Sequence, residues 1–258
     1  MTLSEKIIAS IKLIQDTENL ALKYQDTGFH VAFSGGKDSM IIYELCKMAG
    51  VKYTTHMQLT TVDPPEVLRF VKKYYPDCIL HRPKRSMFQL IIDEKSLPTQ
   101  LIRFCCKKIK ETAGINTVTI LGLRKAESRR RANRIELEQT CIKGQDKIIL
   151  CPILEWSEKD VWDFIKERNL PYCKLYNEGH KRIGCILCPM SSSKAKRLDL
   201  INYPKFVYAY KKAITKLVNQ TGIYSSLNCD TDLIFNWWIS GDSVKVFLEK
   251  RKQTSLEL

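Results

Sequence analysis

A short, mostly apolar run, Phe29 to Phe33, ends in Ser34-Gly35-Gly36-Lys37-Asp38-Ser39, and helix-compatible residues continue through 39–49. A strand, a tight turn and a helix start in this order restrict the chain more than any other stretch. Glycine lets the backbone take positive φ and approach a ligand closely. Free N–H groups and the dipole at the helix start favour an anion. The loop therefore reads as a phosphate or sulfate cradle. It is not a Walker A loop, since G-x-x-x-x-G-K-[ST] is absent.

The 258 residues suffice for one α/β domain of roughly 200 residues with an extension, or for two small domains. No apolar run reaches the ~20 residues of a membrane span. Met1-Thr2-Leu3-Ser4-Glu5-Lys6 lacks a signal-peptide pattern, so a cytoplasmic protein with no membrane partner is expected. The formal charge of +14 points to an acidic partner, a nucleotide, a nucleic acid or both. The plainer alternative is a generally basic, solvated surface. Ten cysteines without a secretion signal argue for metal or redox chemistry rather than disulfides.

Residues 4–23 carry Ile7, Ile8, Ile11 and Ile14 at helical spacing. Strands are expected at 29–33, 53–59, 78–82, 117–121 and 147–150. Helices are expected at 39–49, 66–75, 86–93, 99–112 and, capped by Ser157, through 168. Alternation of this kind means an α/β fold, a doubly wound, mostly parallel sheet of about five strands. Ligands bind such sheets beyond the carboxyl ends of the strands. Residues 34–39, 60–63 and 122–131 all sit there, so three segments converge on one crevice. After 190 the pattern becomes helical (194–201, 203–218, 230–238, 242–251). The expected division is a nucleotide-binding domain over 1–190 and a helical extension over 191–258.

Cys105 and Cys106 are adjacent, and Cys185 and Cys188 form a C-x-x-C pair. Four thiolates can hold a 4Fe–4S cluster. A four-cysteine zinc site is the rival, although its ligand pairs are normally spaced by two to four residues. Cys46, Cys78, Cys141, Cys151, Cys173 and Cys229 are isolated. Lys110, one turn after Cys106, can face both a cluster and an anion, or be a solvent-exposed lysine. Arg124, Lys125, Arg129, Arg130, Arg131 and Arg134 form a basic run suited to phosphate. Glu127 can pair with one of them. Lys37 can neutralise a phosphate. Asp38 beside phosphates repels them unless it holds Mg²⁺ or caps the helix.

These motifs together resemble the phosphoadenosine phosphosulfate (PAPS) reductase family, within the adenine-nucleotide α-hydrolase or PP-loop superfamily. Residues 34–39 match its SGGxDS pyrophosphate loop. Gly122-Leu123-Arg124 with Ser128 and Arg131 resembles its G-L-R-x-x-x-S-x-x-R segment. Pro152 to Trp156, Asp160-Val161-Trp162, Leu170-Pro171-Tyr172, Leu175-Tyr176, Gly179 and Ile183-Gly184-Cys185 resemble its later block. The resemblance covers residues 28–190 and implies a Rossmann-like PP-loop fold. It also implies an adenine nucleotide, ATP or PAPS/APS, held by Ser34, Gly35, Gly36, Lys37, Asp38, Ser39, Thr60, Gly122, Arg124, Ser128 and Arg131. The CC…CxxC arrangement is similar to that of cluster-bearing members, with Cys105, Cys106, Cys185 and Cys188 as ligands and Lys110 beside them. The family's Asp-Thr-Gly stands here as Leu59-Thr60-Thr61. Its Glu-Cys-Gly-x-His tail is not found in the sequence.

Three readings follow. In the first, Lys37, Asp38, Lys110 and Arg124 serve an ATP pyrophosphatase, with Mg²⁺, that activates a nucleic-acid acceptor for sulfur transfer from a donor protein. In the second, the chain is a sulfonucleotide reductase that releases sulfite with thioredoxin. In the third, it is a non-catalytic nucleotide- and DNA-binding regulator.

Overall fold

The computed structural model describes residues 1–110, 112–142 and 145–256, except the side chains at 130, 140–142, 145, 146 and 254–256. The elements in chain order are α1 (Leu3–Tyr24), β1 (Phe29–Phe33), α2 (Lys37–Ala49), β2 (Tyr53–Gln58), α3 (Pro65–Tyr74), β3 (Ile79–His81), α4 (Met87–Asp93), β4 (Val118–Ile120), β5 (Leu137–Ile142), β6 (Gln145–Leu150), α5 (Glu158–Glu167), α6 (Ser193–Asn202), α7 (Pro204–Thr221), α8 (Thr231–Ser240) and α9 (Val244–Leu256). They form two compact units. One comprises Met1–Leu59, Pro65–His81 and Thr112–Ile183; the other comprises Thr60–Pro64, Arg82–Glu111 and Gly184–Leu258. A single cut between 190 and 191 does not describe this division. Val62, Met87, Phe104 and Ile109 share a core with Tyr210, Ile214, Leu217 and Trp238, and so belong with the C-terminal helices.

The first unit is an α/β sheet of order β3-β2-β1-β4-β6-β5. All neighbours are parallel except β5, which runs antiparallel to β6. Five strands were expected, and β5 is the sixth. Its Leu-Glu-Gln-Thr-Cys-Ile run has three consecutive polar residues and no regular alternation, and it pairs on one side only. Val31, Phe33, Val118, Ile120 and Leu150 are buried in the sheet, against Ile14 and Ala21 of α1 and Met40 and Ile41 of α2. Strand order reverses at β1, which lies between β2 and β4. The loops following β1 and β4 therefore leave the sheet on either side of its switch point, where such sheets bind ligands.

A histidine row crosses β1, β2 and β3. His30 stacks on His56 with 4.1 Å between ring centroids, and His56 Nδ1 lies 2.8 Å from His81 Nε2. Burial, with the charges of His56, Lys147 and His81, pushes the His30 pKa down to about 3. Above pH ~6.5 His30 is neutral in both folded and unfolded chains. Below it the unfolded chain takes up a proton that the folded chain refuses until about pH 3. Stability is thus full above pH ~6.5 and falls as pH drops towards 3, by on the order of 3 kcal/mol at pH 4. Urea denaturation between pH 7.5 and 4.5 should show this slope, and His30→Phe should flatten it. An unchanged slope in the variant would exclude His30 as its source.

In the second unit, α4 and α6–α9 enclose the other core. The helix expected over 99–112 is shorter. A π-helical turn spans Cys106–Lys110, and a turn occupies the start of the segment. Thr99 N–H bonds Ile102 O at 3.0 Å, and Thr99 Oγ1 accepts the N–H groups of Leu101 and Ile102. A threonine side chain here competes with the helical pattern. Among the described residues no helix is long and apolar enough to cross a membrane.

Candidate functional site

The loop after β1 is built by local chemistry. Gly35 has φ +69°, and a Cβ there would come within 2.8 Å of Val67 Cγ1 and 2.9 Å of Val71 Cγ2. Only glycine takes that conformation in that space. Ser39 Oγ donates to Gly36 O at 2.8 Å and accepts from Ser34 N–H at 3.2 Å. Ser34 and Ser39 thus brace the loop. Gly36 is the N-cap of α2 and supplies no side-chain cap. The N-terminus of α2 is therefore left to other partners, and one is Tyr176, whose hydroxyl accepts Lys37 N–H at 2.8 Å. Tyr176 packs edge-on to Trp162, and its phenol stays protonated because burial raises its pKa.

Four charged side chains meet at this loop. Lys37 is 1% exposed and Arg124 3%. Arg124 Nε donates to Asp38 Oδ1, and its Nη2 to Glu158 Oε2, each at 2.6 Å. Lys37 Nζ lies 3.1 Å from Asp38 Oδ2 and 3.6 Å from Glu158 Oε1. Asp38 therefore pairs with cations and does not cap α2. Gly122, expected to face the ligand, packs on α2: its Cβ position is 2.8 Å from the Asp38 carbonyl carbon and oxygen. Ser128 is exposed. Arg131 pairs with Glu127, which also accepts Arg124 N–H at 3.2 Å and holds Arg182 at 3.5 Å. Burial, then Arg182 and Arg134, lower the Arg131 pKa. A guanidinium stays charged regardless, so the crowding favours an anion. The side chains of Arg130 and Cys141 lie outside those described.

Sequence reasoning missed Glu158 and Tyr176. In the sequence Glu158 reads only as a helix-start acid, although Ser157-Glu158 closely follows the end of β6, a strand-end position like those already chosen. Nothing in the type or spacing of Tyr176 marks its bond to a backbone N–H 139 positions away.

In the second unit, Cys105, Cys106, Cys185 and Cys188 line one cavity of about 40 Å³ together with Lys110, Thr60 and Tyr210. Thr60, expected among nucleotide contacts, is held here. Its N–H and Oγ1 donate to Asp63 at 2.6 and 2.8 Å, and Cys185 Sγ lies 3.4 Å from its Oγ1. Arg103 Nη2 donates to Cys106 Sγ at 3.4 Å. The hydrogen bond from Cys105, with Arg103 and Lys110, lowers the Cys106 pKa, while the Cys105 pKa rises. Cys185, with Asp63, Cys106 and Cys188, raises the Lys110 pKa against its desolvation. Among the described residues no three His, Cys, Asp or Glu side chains are set to hold a single metal ion. The remaining described cysteines are separate: Cys46, Cys78, Cys151 and Cys173 are buried and Cys229 is exposed.

Residues 28–191 match the family described as the phosphoadenosine phosphosulfate reductase domain. The chain belongs to that family. Among its relatives, a probable FAD synthase of Schizosaccharomyces pombe is 30% identical, over 62% of this chain and 60% of its own. An adenosine 5'-phosphosulfate reductase of Staphylococcus haemolyticus is 26% identical, over 70% of this chain and 79% of its own. The chain spans 35% to 60% of the length of the first curated relatives it matches. The structure of Candida glabrata FMN adenylyltransferase in complex with FAD and inorganic pyrophosphate shares the fold. Its TM-score is 0.54 at 16% identity, covering 71% of this chain and 64% of that one.

Proposed function

We propose that the family fold here serves an ATP-dependent enzyme. At loop 34–39 an oxygen of a nucleic-acid acceptor attacks the α-phosphorus of ATP and pyrophosphate leaves; sulfur from a donor protein then displaces AMP from the resulting adenylate. The observation that carries this reading is the pairing of Asp38 and Glu158 with Lys37 and Arg124. The cluster offers a bare sulfonucleotide no net positive charge, with Lys37 and Arg124 already paired to the carboxylates of Asp38 and Glu158. With Mg²⁺ between them and the phosphates, the same carboxylates attract. Asp38 and Glu158 would hold that Mg²⁺, leaving Lys37 and Arg124 to face the charge that develops as pyrophosphate departs. Tyr176, protonated and bonded to the first N–H of α2, fixes the loop's entry.

Cys105, Cys106, Cys185 and Cys188 would hold a 4Fe–4S cluster. Four thiols around one cavity, with Lys110 and Arg103 to offset negative charge, suit that donor set. The cluster, when bound, supplies electron transfer or an iron that binds sulfur. The net charge of +14 supports a polyanionic acceptor.

A sulfonucleotide reductase is the second reading, favoured by the alignment to 79% of an adenosine 5'-phosphosulfate reductase. Two assays on anaerobically purified protein separate them. ATP–pyrophosphate exchange is expected from the wild type and lost in Lys37→Ala, with no sulfite from APS or PAPS. Sulfite release with a dithiol reductant and no exchange would replace the first reading with the second.

A further inference from the structure

The positive charge is unevenly placed. The second unit has 19 Lys and Arg against 10 Asp and Glu, a net +9 of the chain's +14. Within it, α6, Tyr203 and α7 together carry seven Lys and Arg and a single acid, Asp199. Asp199 is buried and accepts Leu187 N–H at 2.8 Å, so it neutralises nothing at the surface. Two of the seven cations are spent internally. Lys196 is buried and donates to Ile239 O at 3.0 Å, and Lys211 pairs with Asp232 at 2.6 Å. The other five, Lys194, Arg197, Lys205, Lys212 and Lys216, are exposed. Among the described residues none of the five has an ion-pair partner within 4 Å.

The geometry of α7 turns this surplus into a surface. Tyr210, Ala213, Ile214, Leu217 and Val218 form its buried face. At 100° per residue, Lys205, Tyr208, Lys212 and Lys216 fall on the opposite side. Lys205 and Lys212 are two turns apart, about 10 Å along the axis. Between them stands Tyr208, 69% exposed. On α6, Lys194, Arg197 and Ile201 recur at i, i+3 and i+7, with Ile201 75% exposed. A solvated charged face has no use for an exposed aromatic ring. A strand of unpaired nucleotides uses both features, cations for its phosphates and a flat ring for a base.

We propose that the exposed face of α6 and α7 binds single-stranded nucleic acid, with Lys194, Arg197, Lys205, Lys212 and Lys216 along the phosphates and Tyr208 stacked on a base. This deepens the nucleic-acid acceptor reading and rests on it, naming the face that holds the acceptor. The binding needs no ATP. Duplex DNA, whose bases are stacked away, offers Tyr208 no partner and is held by charge alone.

The test is fluorescence anisotropy of the full chain with a 20-nucleotide single-stranded DNA of mixed sequence, titrated without nucleotide at several salt concentrations. Five phosphate contacts give a slope of log K against log salt of about −3.5. Lys205→Glu with Lys212→Glu should weaken binding at least tenfold and flatten that slope. Tyr208→Ala should weaken single-strand binding about tenfold, since one base stack is lost, and leave duplex binding unchanged. Lys12→Glu with Lys23→Glu makes the same charge change on α1 and should have less than a threefold effect. Melting curves of each variant guard against unfolding. An equal loss in the α1 variant, or a Tyr208→Ala variant that binds as the wild type does, would overturn the proposal. Wild-type ATP–pyrophosphate exchange is measured alongside. Strand binding without exchange would remove the ATP reading and leave this surface standing.

Discussion

Replacing Arg124 with methionine is expected to lower nucleotide turnover about 10³-fold and to destabilise the fold by roughly 2–3 kcal/mol. Arg124 is the only group among those described that donates to both Asp38 and Glu158 at hydrogen-bond distance. A planar guanidinium spans two carboxylates in fixed directions, which a lysine ammonium does not. Without it, Asp38 and Glu158 face each other with Lys37 alone between them. The stability loss falls short of the ~3–5 kcal/mol of a fully buried pair because the Glu158 side chain is 54% exposed and stays hydrated. The activity loss is larger because, in the proposed reaction, the same guanidinium would meet the leaving pyrophosphate. Arg124→Lys separates the two effects, as it should regain most of the stability and little of the turnover. The measurements are chemical denaturation and ATP–pyrophosphate exchange. An Arg124→Met variant within tenfold of wild-type exchange would remove Arg124 from the phosphate site.

The loop at 34–39 was legible in the sequence because its chemistry is local. A strand, two glycines and a helix start restrict the backbone whatever surrounds them, and Gly35 takes the left-handed conformation this requires. The alternation of strands and helices likewise gave a mostly parallel sheet. The edge strand β5 was not legible, since its Glu-Gln-Thr stretch breaks any alternation of apolar and polar residues. Thr60, expected as a ligand contact from its place after β2, gives both its donors to the neighbouring Asp63 and has its hydroxyl beside Cys185. Glu158 reaches Arg124 across 34 positions and Tyr176 reaches Lys37 across 139. Contacts of that span are set by the closing of the sheet, which no spacing rule encodes. The four cysteines were readable as a group because two close pairs of one soft ligand type are rare by chance, even when far apart in the chain.

Gly122→Ala should cost both stability and turnover through a single added methyl. The resemblance implies that Gly122 lies beside the nucleotide, and its surroundings also give it a mechanical role. A Cβ at this position would come within 2.8 Å of the Asp38 carbonyl carbon and oxygen and 3.2 Å of the Asp38 Cβ. Two of the three are backbone atoms in the first turn of α2, so no rotamer change relieves the clash. The helix start must shift away from the loop that follows β4. Overpacking of this kind costs about 2–3 kcal/mol, a fall in Tm of about 5–10 °C for a chain of this size. The shift also separates Asp38 from Arg124, whose contact is 2.6 Å. A misplacement approaching ~1 Å lowers turnover by about 10²-fold. Gly184→Ala is the control for stability, because nothing lies within 4 Å of its Cβ position; its Tm should match the wild type. Scanning calorimetry and ATP–pyrophosphate exchange read the two effects separately. A Gly122→Ala variant with wild-type Tm would mean that α2 can yield at its first turn. The charged cluster would then be set by Arg124 and Glu158, and not by the packing of helix on loop.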